Sequence, residues 1–377
     1  SGTLNDQIWL DTLAWLGRGE VGTHMALVNA RFTVLAYTQL QQRQWWLKEL
    51  HICQREPRGT GAELISLNSD GSRFSSPLPT EQLPENVAGF NSTFNIWYFD
   101  GEVIIFLHRI RHLFSTDISL QFNIRPTESR AWKTMARHIW PLLKNGLIML
   151  VNMKRTHLAR MHKYVSPTVL FDCAELVQIS GTVLPESPTT YNTSPADFST
   201  RFMYNWLHTP RPDGRPVVFK LTKWKSGWEN FVNELITSFT RAVGPVKYMV
   251  LASFDVNYTR REQMVNIRTE EKLTMSSDVH QRPDGGFVSS VKILRCPAVF
   301  TEANVMSWLR LPRVSSEWHP NLVTIGFSDD EIGYGRVEQI YDSVFLFPSF
   351  SDRCLRTEEP IGLRTEKDNC GSTTDEP

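Results

Sequence analysis

The stretch "LAWLGRGEVGTHMALV", Leu13–Val28, carries Gly17, Gly19 and Gly22 at the spacing G-x-G-x-x-G. Two local folds compete for it. In a dinucleotide-binding unit such a loop follows a buried strand and opens a helix, with an acidic side chain for the ribose about 20 residues later. Here the preceding "IWLDTLAWL" sets Ile8, Trp9, Leu13 and Leu16 along one helical stripe, and Asp11 and Thr12 interrupt any apolar strand. The acidic position falls in "TQLQQRQWW", which has no carboxylate. Downstream, Val21, Met25, Val28, Phe32 and Leu35 recur at helical spacing. The glycines therefore read as a turn between two helices. Gly17 takes the left-handed cap and Gly19 starts the second helix. Asn5 suits the N-cap of the first helix and Asp6 its first turn.

Working outward, the 377 residues suggest two or three domains of about 100–200 residues each. A formal net charge of zero argues against a nucleic-acid binder, which would carry a basic surplus. The five cysteines, at 53, 173, 296, 354 and 370, are odd in number and form no C-x-x-C pair. Reduced thiols in cytoplasm or nucleus are expected. No apolar run reaches the roughly 18 residues of a membrane helix. The start "SGTLNDQ" has neither the basic nor the apolar region of a signal peptide, and it lacks methionine, as a fragment would. The sequons at Asn91, Asn192 and Asn257 are then chance matches.

Residues 53–93, rich in proline, glycine and serine, read as a long connection with one short strand at "AELISL". "FNIWYFDGEVIIFLHRIRHLF" follows as a strand and a helix, with Val103, Phe106, Leu107, Ile110 and Phe114 in helical register. Four helix-then-strand units come next. Their strands are "GLIMLVNM", "AELVQISG", "PVVFKLTKW" and "VKYMVLASFDV". This alternation favours parallel strands with helices packed on them, either as an irregular stack resembling leucine-rich repeats or as a closed α/β domain. "EEKLTMSSDV" and "FVSSVKILRC" flank the turn "QRPDGG" as a hairpin. A helix, "EANVMSWLRL", and a strand, "LVTIGF", complete the series, and the polar end from about 354 reads as a disordered tail.

No constellation assembles a nucleophile, a base and an oxyanion site. His108 and His112 are four apart, but Arg109 and Arg111 between them would repel a cation. His157 and His162 are five apart, a poorer spacing for chelation. Asp329, Asp330 and Glu331 form a carboxylate cluster of the kind that is usually solvated. Cys173 sits in an apolar setting, as a structural thiol does. Arg109, Arg111, Arg130, Lys133, Arg137 and His138 make a mildly basic central region with Trp132 and Trp140 among them, which reads as helix faces with solvated arginine over buried tryptophan. Catalytic, metal and cofactor residues are therefore set at none.

Residues 4–40 resemble an F-box through Leu4, Ile8, Leu13, Leu16, Val21, Met25, Val28, Arg31 and Phe32, with "ALVNARFTVLA" in the usual V-C-R-x-W region. Asn5, Asn29 and Phe32 depart from the common proline, cysteine and tryptophan, and Ala30 lacks the frequent basic group. Together with "FLHRIRHLF", "IWPLL", "SPTVLFDC" and "WLHTPRPDGRP", most of the chain looks like the large divergent nematode-type F-box proteins. The resemblance implies an α+β or α/β chain: a three-helix F-box over 1–50, an irregular linker over 51–93, a leucine-rich-repeat-like α/β recognition domain over 94–350 and a tail over 351–377. It implies a non-catalytic substrate receptor that joins an unknown target protein to the Skp-family adaptor, and through it to cullin, in an SCF-type ubiquitin ligase. The adaptor contacts it implies are Leu4, Ile8, Trp9, Leu13, Leu16, Val28 and Phe32.

An independent argument agrees. A helical piece of about 40 residues with this many large apolar side chains cannot bury them alone and wants a partner surface. Two alternatives stand beside it: an interaction module that never joins a ligase, and a nucleotide-cofactor enzyme built on Gly17, Gly19 and Gly22. Trp224 and Trp228 are candidate target contacts or core residues.

Overall fold

Segments with helical apolar period and segments of continuous apolar run alternate through the second quarter of the chain, and the structure turns each into its own element. The computed structural model describes residues 6–16, 20–55, 61–67, 72–84, 86–185, 195–222, 227–254, 258–281, 287–301, 303–304 and 321–333. All of these lie in one compact unit, Ser1–Gly335; a second unit, Arg336–Pro377, falls outside them. The fold is α+β. The elements begin with α1 (Asp6–Leu13), a π-helical turn (Glu20–Met25) and α2 (Ala30–Gln42). Six strands follow: β1 (Trp45–Leu47), β2 (Leu50–Gln54), β3 (Ala62–Leu67), β4 (Arg73–Pro77), β5 (Val87–Phe90) and β6 (Thr93–Ile96).

The alternating part then runs α3 (Gly101–Arg109), β7 (Ile118–Phe122), α4 (Ser129–Thr134), a π-helical turn (Met135–Ile139), α5 (Trp140–Leu143) and β8 (Leu147–Met153). It continues with α6 (Arg155–Tyr164), β9 (Gln178–Gly181), α7 (Pro195–Leu207), β10 (Val217–Leu221), α8 (Trp228–Arg241) and β11 (Tyr248–Phe254). Three antiparallel strands, β12 (Glu262–Asn266), β13 (Glu271–Gln281) and β14 (Phe287–Pro297), precede β15 (Leu322–Ile325). The four helix-then-strand units and the hairpin stand where their periodicity puts them.

The strands form a 13-stranded sheet of order β12-β13-β14-β11-β10-β9-β8-β7-β15-β6-β2-β3-β4, beside a small parallel β1-β5 pair. From β11 to β2 every pairing is parallel. From β7 to β11, strands consecutive in sequence are neighbours in the sheet, each joined to the next through a helix. Leu120, Leu150, Ile179, Phe219 and Val250 line up across this run and are all buried. Phe122, on the same face of the sheet, packs against Trp132 of α4 with ring centroids 5.2 Å apart. Burying each strand against its own helix is what makes the apolar runs legible.

Two expectations are corrected. Residues 51–93 are not a linker: β2, β3 and β4 are part of the large sheet, and β5 pairs with β1. β3 is the strand read at "AELISL"; β4 is the edge strand and mostly exposed, so backbone pairing rather than apolar period places it. The second helix is also not continuous from Val21 to Leu35. Asn29 is extended (φ −169°), and its side chain accepts the Phe32 amide at 3.0 Å, so α2 starts after it. An asparagine at this point favours the cap over the helix interior. Leu4, Asn5, Gly17, Gly19, Trp224, most of "EANVMSWLRL" and the tail lie outside the described residues.

Candidate partner-binding surface

The N-terminal helical segment has a small core of its own. Leu13, Val21, Leu35 and Ala36 are buried together, with Trp9, Leu10, Leu16, Met25, Ala26 and Leu40 packed around them. Trp9 meets Phe32 edge-to-face at 4.7 Å, and the Arg31 guanidinium pairs with Asp6, fastening α2 to α1. The segment is seated on the β1-β5 pair. Arg43 donates to the Leu16 carbonyl at 2.9 Å and stacks 4.6 Å over the Trp45 ring. Trp45 Nε1 donates to the Leu40 carbonyl at 2.8 Å, and the Asn86 amide donates to the carbonyls of Leu40 and Arg43.

This packing sorts the expected adaptor contacts. Leu13 is fully buried, so it belongs to the core and is not a contact. Trp9, Leu16 and Phe32 are half-buried and spend their apolar surface inside the segment. Ile8 is 50% exposed and Val28 58%. The bare surface includes residues that the sequence reading passed over: Trp15 at 90%, Leu27 at 79%, Val34 at 65% and Tyr37 at 63%. The available signal was that α2 is apolar on two sides. Leu35, Ala36 and Leu40 face the core, while Val34 and Tyr37, three apart, form a second, exposed stripe. Large apolar side chains exposed on one short segment in this way mark an interaction surface.

The other candidates resolve into structural roles. Gly22 lies in the π-helical turn, and the element before the glycine loop is α1, a helix and not the strand that a dinucleotide site requires. His108 ends α3, while His112 is in the following 3-10 turn (Arg111–Phe114); burial, with Arg111 nearby, lowers the His108 pKa. His157 is buried against Trp132 and Phe122, and burial holds its imidazole at about 4. Among the described residues no group of three or more His, Cys, Asp and Glu stands together as metal ligands would.

Asp329 accepts the Ala131 amide at 2.7 Å, capping α4, and Ser328 with Glu331 forms a reciprocal capping box. The carboxylate cluster therefore holds backbone amides. Cys173 is buried, donates to the Val169 carbonyl at 3.4 Å, and is pushed up to about 12 by burial. Trp132, Trp140 and Trp228 are core residues. Among the described residues no helix is long and apolar enough to cross a membrane.

Compared with known protein families, with characterised proteins and with solved structures, the chain matches none.

Proposed function

We propose that this chain is the substrate receptor of an SCF-type ubiquitin ligase, docking its N-terminal helices on a Skp-family adaptor and holding a target protein with the larger sheet domain. The observation that carries the proposal is the uncovered apolar surface of Ile8, Trp15, Leu27, Val28, Val34 and Tyr37 on a segment whose own core is already filled. Helix-in-groove docking uses such spaced anchors. Two α-helices, α1 and α2, with a π-helical turn between them support the F-box reading, although strands β1 and β2 stand over 45–54 in place of a third α-helix. The strand-helix succession from β7 to β11 supports reading the recognition domain as an irregular stack resembling leucine-rich repeats. The receptor does no chemistry itself and works in cytoplasm or nucleus.

The test is co-expression of the intact chain with the adaptor, followed by co-purification. Leu27→Asp and Val28→Asp place a charge on the bare surface without touching the core, and each should abolish co-purification at unchanged thermal stability. An intact chain that fails to hold the adaptor, or adaptor retained by both variants, overturns the proposal.

A further inference from the structure

A second apolar patch lies at the other end of the large sheet, on the β12-β13-β14-β11 side and away from β2, β3 and β4. Val243 is 82% exposed, Ile267 88% and Val299 87%. They sit on loops tied to one another. Asn266 donates to the Ala242 carbonyl at 3.2 Å, the Ala298 amide donates to the Glu270 carbonyl at 2.8 Å, and the Val246 amide donates to Glu271 at 2.8 Å. Beside them opens a cavity of about 630 Å³, whose walls include Pro210, Ala242, Val243, Pro245 and Val246.

Two polar features mark its lining. His208 Nδ1 faces the Tyr204 backbone carbonyl at 2.9 Å, and that carbonyl can only accept, so Nδ1 carries the proton. Nε2 is itself buried and has no partner among the described residues, so the ring serves as wall and presents no open acceptor to a ligand. Arg295 at the wall is buried and already paired with Glu271 at 2.6 Å, with the Gly244 carbonyl as a further acceptor, so it fixes the loop without offering free charge. The exposed charges on these loops are instead Arg241 and Arg268, which form no ion pair among the described residues, and the acid Glu270; Lys247 is half-buried and donates to the Gly214 carbonyl.

We infer that this cavity and its rim form a docking site for a peptide segment of the target protein. The segment has an apolar side chain that enters the cavity and an adjacent acidic residue that meets Arg241 or Arg268. An apolar cavity with a cationic rim selects this chemistry. The bare rim of Val243, Ile267 and Val299 extends past the cavity, and a peptide covers more of it than a small molecule does. The inference rests on the receptor reading and gives it a target surface separate from the adaptor surface.

The experiment is selection from a random-peptide phage-display library on the intact chain, with selected peptides then measured by fluorescence polarisation. Enriched sequences should share an apolar residue flanked by Asp or Glu. Gly244→Trp is the diagnostic variant, because Gly244 lines the cavity and a Cβ added there meets nothing within 4 Å, so a bulky side chain can be placed at the cavity wall without straining the backbone. It should weaken binding at least about tenfold, as should Arg241→Glu. No enrichment, enrichment of basic peptides, or peptides indifferent to Gly244→Trp would overturn the site. Adaptor co-purification measured on the same preparations separates the two ideas: adaptor held and peptides lost rejects this site alone, whereas peptides held and adaptor lost rejects the ligase role alone.

Discussion

The Asn321 side-chain Oδ1 accepts a hydrogen bond from the Phe90 amide at 2.6 Å, across 231 positions of sequence. The Asn321 amide returns a bond to the Phe90 carbonyl at 3.0 Å. Asn321 is buried and left-handed, with φ 54°, a conformation that asparagine tolerates better than most residues. This double bond fixes where the returning chain enters the sheet, one residue before β15 slots between β6 and β7. Replacing Asn321 with alanine strands the buried Phe90 amide and keeps the strained backbone. It should cost about 2–4 kcal/mol in urea unfolding, and Asn321→Gly, which relieves the backbone, should cost less. Equal losses in the two variants would reject the backbone contribution.

The Glu271–Arg295 pair is 1% exposed on both sides, and both residues are hydrogen-bonded to backbone. Arg295→Met leaves a carboxylate buried without its partner and should destabilise by about 3–5 kcal/mol. Adding Glu271→Gln should recover part of that loss. A double variant no better than the single one would show that packing, not charge, dominates at this position.

Burial holds the imidazoles of His138, His157 and His208 at about 4 against an ordinary 6.5. The unfolded chain therefore takes up protons that the folded chain refuses. Stability is full above the ordinary value and falls as pH drops from about 6.5 toward about 4. The urea midpoint should be lower at about pH 5 than at about pH 7, and His157→Leu should flatten that slope. A midpoint that does not change with pH contradicts the buried neutral state.

Leu13 and Trp15 are two residues apart and opposite in role, with exposures of 0% and 90%. Leu13→Ala should loosen the N-terminal core by about 2–5 kcal/mol and open the segment to limited proteolysis. Trp15→Ser should stay within about 0.5 kcal/mol of the parent. Proteolysis at the same rate in both would show that the segment has no core of its own.

Native alkylation followed by peptide mapping should modify the half-buried Cys53 before Cys173, because burial keeps the Cys173 thiol protonated. Labelling of Cys173 at the Cys53 rate would mean that the loop around it opens readily.

Much of the architecture was legible in the amino-acid order. Val103, Phe106 and Leu107 announced the buried face of α3; Ile110 and Phe114, read into the same helix, are buried too but follow α3, which ends at Arg109, with Phe114 in a 3-10 turn. The runs that became β8 to β11 announced strands because each is covered locally, by a helix close to it in sequence. The stretch before the glycines was readable as a helix because its residues have a helical period, and α1 stands there. Other features had no local signature. The strands β2, β4 and β5 are short and weakly apolar, and they exist because neighbouring strands offer them backbone partners. The candidate surface was half legible: that apolar side chains were in excess could be counted, but which of them were spare could not.

The sequence by itself determined the order of helices and strands from Ser129 to Phe254, since periodicity is a property of neighbours along the chain; β7, Ile118–Phe122, it did not announce. Only the tertiary structure decided that β15 lies between β6 and β7, that Leu13 is core while Trp15 and Val28 are bare, and that loops near His208, Ala242, Ile267 and Val299 meet at one end. Burial and pairing depend on which distant segment comes to lie alongside, and residue spacing carries no record of that.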